Sequence, residues 1–194
     1  MFALIQCKEK KELMTHVTEG MRQILVDWLV DVHHSFELKD QTLYLAFAYL
    51  NAYAAIHDIT KHDYQLVGIA CLWIASKYEE IYPPRMQNYI QVTDCSYSAH
   101  ELKNMESKIL VTLNFNLNAV TPLALLEAIS DKWAKDVHGK LTREASRTLN
   151  MCKYLLELAL FENIGKDHCM KTLVLSAIML ADSVLKVKTD SAPL

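Results

Sequence analysis

Histidine is the side chain that proteins use most often for metal binding and proton transfer, and this sequence has eight of them. His33 and His34 are adjacent, so on a helix their side chains diverge and cannot share a metal as residues four apart do. His57 and His62 flank a predicted turn and could meet there, although a pair of separate surface side chains is the simpler interpretation. The sequence contains no H-E-x-x-H, G-x-G-x-x-G, P-loop or G-x-S-x-G motif. These patterns argue against a metal site, a cofactor site and an enzyme.

One arginine stands in unusually apolar surroundings, in the stretch MRQILVDWLV from Met21 to Val30. On a helix, the apolar residues of this stretch cover more of the circumference than the arc of about 100° that a surface helix needs. Either the helix is buried on several sides in a bundle, or one flank, formed by Met21, Ile24 and Trp28, stays exposed as a docking patch. Arg22 requires an internal partner in both cases, because a buried charge without one is strongly destabilising.

The composition argues against several classes of protein. Of the 194 residues, 52% are apolar, which is enough for a large core, and no apolar run approaches the roughly 18 residues of a membrane span. The five cysteines are scattered without a C-x-x-C pair, which indicates a reducing compartment and neither disulfides nor zinc. The formal net charge of −3 gives no basic face for a nucleic acid. We therefore expect neither a nucleic-acid nor a membrane partner.

The sequence has only four glycines and four prolines, and this scarcity of helix-breaking residues predicts an all-α fold. Helices must therefore position the polar residues. Start signals for helices occur at Asp40, at Thr60 with Asp63, at Ser98 with Glu101, at Thr121-Pro122, at Thr142 and at Asp167. Together with the apolar periodicity they predict nine helices, at about 3–15, 20–37, 41–56, 62–79, 85–92, 99–113, 122–136, 142–161 and 167–186. Residues 66–76 and 172–183 are apolar nearly all round, which is typical of the central helices of two similar bundles.

Five stretches in this order resemble the first box of an A/B-type mitotic cyclin: MRQILVDWLVDVH, TLYLAFAYLNAY, YQLVGIACLWIASKYEEIYPP, YIQVTDCSYSAHEL and MESKILVTLNFNL. The resemblance extends from about Met21 to Leu117. From about Ala119 onward it is weaker and is to the first three helices of the second cyclin fold. It implies an N-terminal helical segment at 1–19, a complete first cyclin box at 20–118 and an incomplete second box at 119–194.

The resemblance also implies a function. Each box would be a five-helix bundle around a buried third helix, and the protein would be a regulatory subunit without chemistry of its own. It would bind a cyclin-dependent kinase, hold the kinase's mobile helix inward and so complete the kinase's Lys–Glu pair. We expect this role in cell-cycle control, in mitosis, and in the nucleus and cytoplasm. The alternative is a cyclin-fold scaffold that binds proteins without activating a kinase.

The family's kinase-binding residues match positions near the end of the third helix and beyond it. Lys77 matches the lysine that contacts the kinase, and Glu106 matches the glutamate that works with it. Charge-assisted hydrogen bonds from such groups are the strong kind. Apolar positions of the same interface match Ile74, Tyr78, Phe115 and Leu117, and core packing is the alternative for each of them.

A second family surface, which recruits substrates and inhibitors with Arg-x-Leu-type motifs, matches residues Met21, Ile24, Leu25, Trp28, Asp31 and Gln65. Asp31 replaces the family's glutamate and is one methylene shorter. Arg22 matches a family arginine whose usual partner is an aspartate, and the matching residue here is Asn51. The resemblance therefore predicts a hydrogen bond between Arg22 and Asn51 in place of an ion pair.

Overall fold

The computed structural model describes residues 16–131, 142–164 and 168–190, and all the regular structure in these ranges is helical. It comprises α1 (Glu19–Ser35), α2 (Asp40–Ala54), α3 (Tyr64–Glu79), α4 (Met86–Gln91), α5 (Ala99–Thr112), α6 (Pro122–Ser130), α7 (Arg143–Phe161) and α8 (Met170–Asp190). The predicted all-α fold is confirmed. The helix expected at about 3–15 and the start signal at Asp167 lie outside the described residues.

The chain forms two compact units, Met1–Ala119 and Val120–Leu194. This division falls one residue after the boundary expected between 118 and 119. The first unit contains α1 to α5, and the second contains α6 to α8. In the second unit α7 packs along α8, and α6 contacts both of them.

Local capping explains where four of the eight described helices begin. The side chains of Thr18, Ser98, Thr121 and Thr142 each accept a hydrogen bond from the backbone N–H three residues later. The capping box predicted at Ser98 is confirmed, since Glu101 accepts in return from the Ser98 backbone N–H at 2.8 Å. These hydrogen bonds hold the pKa of Glu101 below its ordinary value.

Two predicted starts are wrong in detail. Asp40 is the first helical residue of α2 and does not cap it, because the N-cap position belongs to Lys39. Thr60 and Asp63 do not form a capping box: the Asp63 backbone N–H donates to the Thr60 hydroxyl at 3.2 Å and that hydroxyl donates to the Asp63 carboxylate at 2.9 Å, in a turn that precedes α3. Aspartate is favoured both as an N-cap and within the first helical turn, which accounts for Asp40. Threonine and aspartate also satisfy turns, which accounts for Thr60 and Asp63. The helix predicted at 122–136 ends at Ser130.

Helix α3 is the centre of the first unit. Apart from Gln65, every residue from Tyr64 to Ser76 is buried, and α3 packs against α1, α2, α4 and α5. The buried third helix that the family resemblance implies is therefore present. Gly68 allows the close approach of α1, because a Cβ atom at this position would lie 3.0 and 3.1 Å from the two methyl carbons of Leu25.

We expect Gly68→Val to destabilise the first unit by about 1–3 kcal/mol, because its branched side chain would overpack against the buried Leu25. The measurement is thermal unfolding followed by circular dichroism. Gly20→Val is the matched control, since a Cβ at Gly20 has nothing within 4 Å. Equal midpoints for the two variants would contradict the close approach.

Candidate functional site

An ion pair joins the end of α3 to the middle of α5. The ammonium of Lys77 donates a hydrogen bond to the Glu106 carboxylate, and the two side chains are 36% and 17% exposed. The structure thus brings together the two charged residues that the sequence singled out. An ion pair this accessible contributes at most about 1 kcal/mol to folding. The Lys77–Glu106 pair is therefore a candidate binding site because of its position at the surface, and not because it stabilises the fold.

A tryptophan also contacts this lysine. The Nζ atom of Lys77 lies 3.6 Å from the centre of the Trp73 ring, a cation–π geometry. Trp73 precedes Lys77 by four residues, so both side chains lie on the same face of α3. This contact was not predicted from the sequence, although the four-residue spacing of an aromatic and a lysine could have indicated it.

The chain that follows α3 is anchored to the start of α2. The Lys39 ammonium donates to the backbone carbonyl of Glu79 at 2.6 Å. The carboxylate of Glu80 accepts from the Lys39 backbone N–H at 2.8 Å and from the hydroxyl of Thr42 at 2.5 Å. Glu80 therefore caps α2 from a distant part of the sequence. These bonds fix the point at which Ile81 and the chain after it leave the helix.

The four apolar residues predicted beside this ion pair divide into surface and core. Tyr78 and Phe115 are 50% and 68% exposed, and Leu117 is half-buried. Ile74 is only 2% exposed, which favours the core-packing alternative for this residue. Tyr78 and Phe115 are therefore the large apolar side chains that a partner could contact directly.

Backbone geometry presents Phe115 at the surface. Its φ of 56° is left-handed, an uncommon conformation for an aromatic residue. The hydroxyl of Tyr49 donates to the carbonyl of Leu117 at 2.8 Å and so fixes the segment that follows α5. Strained, exposed aromatic residues are often found at functional sites.

The residues predicted to form a docking patch on α1 are exposed to different degrees. Ile24 is 72% exposed, Met21 and Trp28 are half-buried, and the spacing of three and four residues aligns them on one side of the helix. Leu25 is 5% exposed and contacts α3 at Gly68, so it belongs to the core. The remaining two predicted residues are Asp31, which is exposed, and Gln65, which is half-buried at the start of α3. We call Met21, Ile24 and Trp28 the α1 patch.

Arg22 is buried, with 6% of its surface exposed, as its apolar neighbours predicted. Its Nη1 atom lies 3.7 Å from a carboxylate oxygen of Glu19. Burial lowers the pKa of Arg22, and the nearby Tyr64 and Glu19 oppose this shift. Burial also raises the pKa of Tyr64 to about 12. Asn51 lies on α2 and is exposed. The hydrogen bond between Asn51 and Arg22 stays a prediction.

Two of the histidines make ordinary structural contacts. His33 Nε2 lies 3.0 Å from the Lys39 carbonyl oxygen, and His57 Nε2 lies 2.9 Å from the Thr112 hydroxyl. Within the described ranges, no group of three or more His, Cys, Asp or Glu side chains could hold a metal ion. None of the helices in the described part of the chain is both long and apolar enough to cross a bilayer.

Comparison with known proteins gives one family. The family described as "Cyclin, N-terminal domain" matches residues 3–118. The chain is 33% identical to a putative cyclin-A3-1 of Arabidopsis thaliana over 92% of its own length and 49% of the relative's. It is 35% identical to a G2/mitotic-specific cyclin-B of Patella vulgata, over 90% and 40% of the two lengths. With a G2/mitotic-specific cyclin-B2 of Gallus gallus the identity is 33%, over 94% and 45%.

The chain thus spans less than half the length of these three relatives. Among solved structures, it resembles the X-ray structure of a viral cyclin from herpesvirus saimiri, with a TM-score of 0.72. The sequence identity is 23%, and the match covers 92% of this chain and 74% of the viral one. At this identity the likeness concerns the fold.

Proposed function

Because this chain belongs to the cyclin family, we propose that it binds a cyclin-dependent kinase and switches the kinase on. The observation that carries the proposal is the Lys77–Glu106 pair, held at the surface where α3 meets α5. Its ammonium can donate to carbonyl oxygens of a partner, and its carboxylate can accept from partner N–H groups. The exposed Tyr78, next to Lys77 in the chain, adds apolar area.

The mechanism is a shift in the kinase's conformational equilibrium. A kinase alternates between states in which its mobile helix lies outward or inward, and only the inward state completes the Lys–Glu pair that binds nucleotide phosphates. A partner that binds the inward state more tightly raises the population of that state. The present chain would supply contacts and no catalytic group.

We also propose that the α1 patch recruits substrates or inhibitors with Arg-x-Leu-type motifs. In support, Ile24 offers an exposed apolar surface, and the half-buried Trp28 can act as a rigid anchor. The exposed carboxylate of Asp31 lies one turn beyond Trp28 and could pair with the arginine of such a motif.

The names of the relatives support a proposed action of this chain in mitosis. We place this action in the nucleus and cytoplasm.

The test is direct binding followed by a kinase assay. The purified 194-residue chain is incubated with each of a panel of purified cyclin-dependent kinases, and complex formation and phosphorylation of a short peptide are measured. We expect one or more kinases to bind the chain and to gain activity. Binding without a gain in activity, or no binding to any of the kinases, would contradict the proposal, and both outcomes would be compatible with the scaffold alternative.

A further inference from the structure

We propose that Trp73 is a positioning residue, which holds Lys77 in the orientation that the kinase recognises. This inference rests on the proposed function, since it assigns Trp73 a role in the same surface. Trp73 does not itself have to touch the kinase, because it is only 8% exposed. It would act through the lysine alone.

The geometry of α3 brings the two side chains together. Long side chains on a helix lean toward its N-terminus, so Lys77 extends back over the turn that contains Trp73. Its Nζ atom stops 3.6 Å from the ring centre. Since Trp73 is almost fully buried, its ring is fixed by the core and provides a rigid face. The lysine therefore rests on a ring that is packed into the core.

The ion pair supplies the second restraint. The Glu106 carboxylate holds the ammonium from α5, while the Trp73 ring covers it from α3. An ammonium has three N–H donors, so this arrangement leaves donor capacity for a partner's carbonyl oxygen. A free lysine loses much rotamer entropy when it is ordered in an interface. Lys77, already held between two groups, would lose less, and binding would be correspondingly tighter.

Kinase binding tests the proposal through two variants of Trp73. Trp73→Leu removes the aromatic face and keeps an apolar side chain, whereas Trp73→Phe keeps a smaller ring. We expect the kinase dissociation constant to rise about two- to fivefold with leucine and less with phenylalanine, as a lost cation–π contact predicts. Circular dichroism would establish that each variant is folded at the temperature of the assay.

The same Trp73 substitution in a chain without Lys77 distinguishes an effect of Trp73 on the lysine from an effect on core packing. In a Lys77→Met chain the cation is gone, so a residue that acts through Lys77 can have no further effect. We expect Trp73→Leu to leave the dissociation constant of this background unchanged within twofold. An equal loss of affinity in both backgrounds would mean that Trp73 acts through the core, and it would overturn the proposal.

A measurement without a kinase keeps this inference distinct from the proposed function. The rate at which an N-hydroxysuccinimide ester acetylates Lys77 is followed by mass spectrometry, with the exposed Lys103 and Lys108 as internal references. We expect Trp73→Leu to raise the relative rate for Lys77 about two- to fivefold, because the ammonium loses its cover and its restraint. An unchanged rate in the folded variant would overturn the positioning role. If the rate rises with Trp73→Leu but the original chain binds no kinase, the result would support the Trp73–Lys77 contact and contradict the proposed function.

Discussion

Replacing both Lys77 and Glu106 with alanine is expected to abolish kinase activation while the helical content stays unchanged. Truncating charged groups that are hydrogen-bonded in an interface commonly costs about 2–5 kcal/mol of binding energy, or at least about thirtyfold in affinity. The same pair contributes little to folding, because both side chains retain access to solvent. Activation of a purified kinase and circular dichroism of the free chain measure the two effects separately.

The reversed pair, Lys77→Glu with Glu106→Lys, is the matched control. It can re-form the ion pair between α3 and α5 but presents each charge at the other's position. We expect this variant to be as inactive as the double alanine variant, because the kinase would meet a carboxylate where it needs a donor. Recovery of activity in the reversed chain would show that the pair matters only for the chain's own structure. Full activation by the double alanine variant would likewise contradict the assignment.

Trp28→Ala is expected to weaken binding of a peptide with an Arg-x-Leu motif by roughly 2 kcal/mol, or about thirtyfold, as aromatic anchors typically do. Activity toward a short substrate without the motif is expected to change little. The reason is distance along α3: Gly68, which packs against Leu25 of α1, and Lys77 are nine residues apart, which is about 14 Å on a helix. Peptide binding, measured by fluorescence anisotropy, and kinase activity on both substrates would establish the separation.

Two neighbours of Trp28 provide the controls. Ile24 is 72% exposed, so Ile24→Ser is expected to weaken peptide binding with little change in the thermal midpoint. Leu25 is buried, and Leu25→Ala is expected to cost about 2–5 kcal/mol of folding free energy and to reduce both activities together. If Trp28→Ala behaved like Leu25→Ala, with a large fall in midpoint and parallel losses, the docking interpretation of the α1 patch would be wrong.

Local signals predicted the helices well, because the groups involved are close in sequence. Ser98 and Glu101 satisfy each other's backbone across three residues, and the side chains of Thr121 and Thr142 each accept from the backbone N–H three residues later. The continuous apolar character of 66–76 likewise predicted a helix buried on every side, and α3 is buried there. Patterns of this kind depend on neighbours within one or two turns, which the sequence displays directly.

The candidate site was less predictable. Family resemblance indicated Lys77 and Glu106, but helical periodicity cannot tell an apolar residue that faces the core from one that awaits a partner. Ile74 and Leu25 were therefore predicted to contact partners although they lie in the core, whereas Ile24, next to Leu25, is exposed. The exposure of a helix flank depends on which other helices cover it, and that is decided by tertiary packing.

The cap that Glu80 provides for α2 has a consequence for how the first unit assembles. The first turn of a helix is costly to nucleate, and α2 has no side-chain cap at its own N-cap position, Lys39. Its cap arrives only when a loop of about forty residues closes, at the further entropic cost of bringing its ends together. We therefore expect the beginning of α2 and the end of α3 to form and melt as one cooperative element, with protection of their amides from hydrogen exchange rising and falling together.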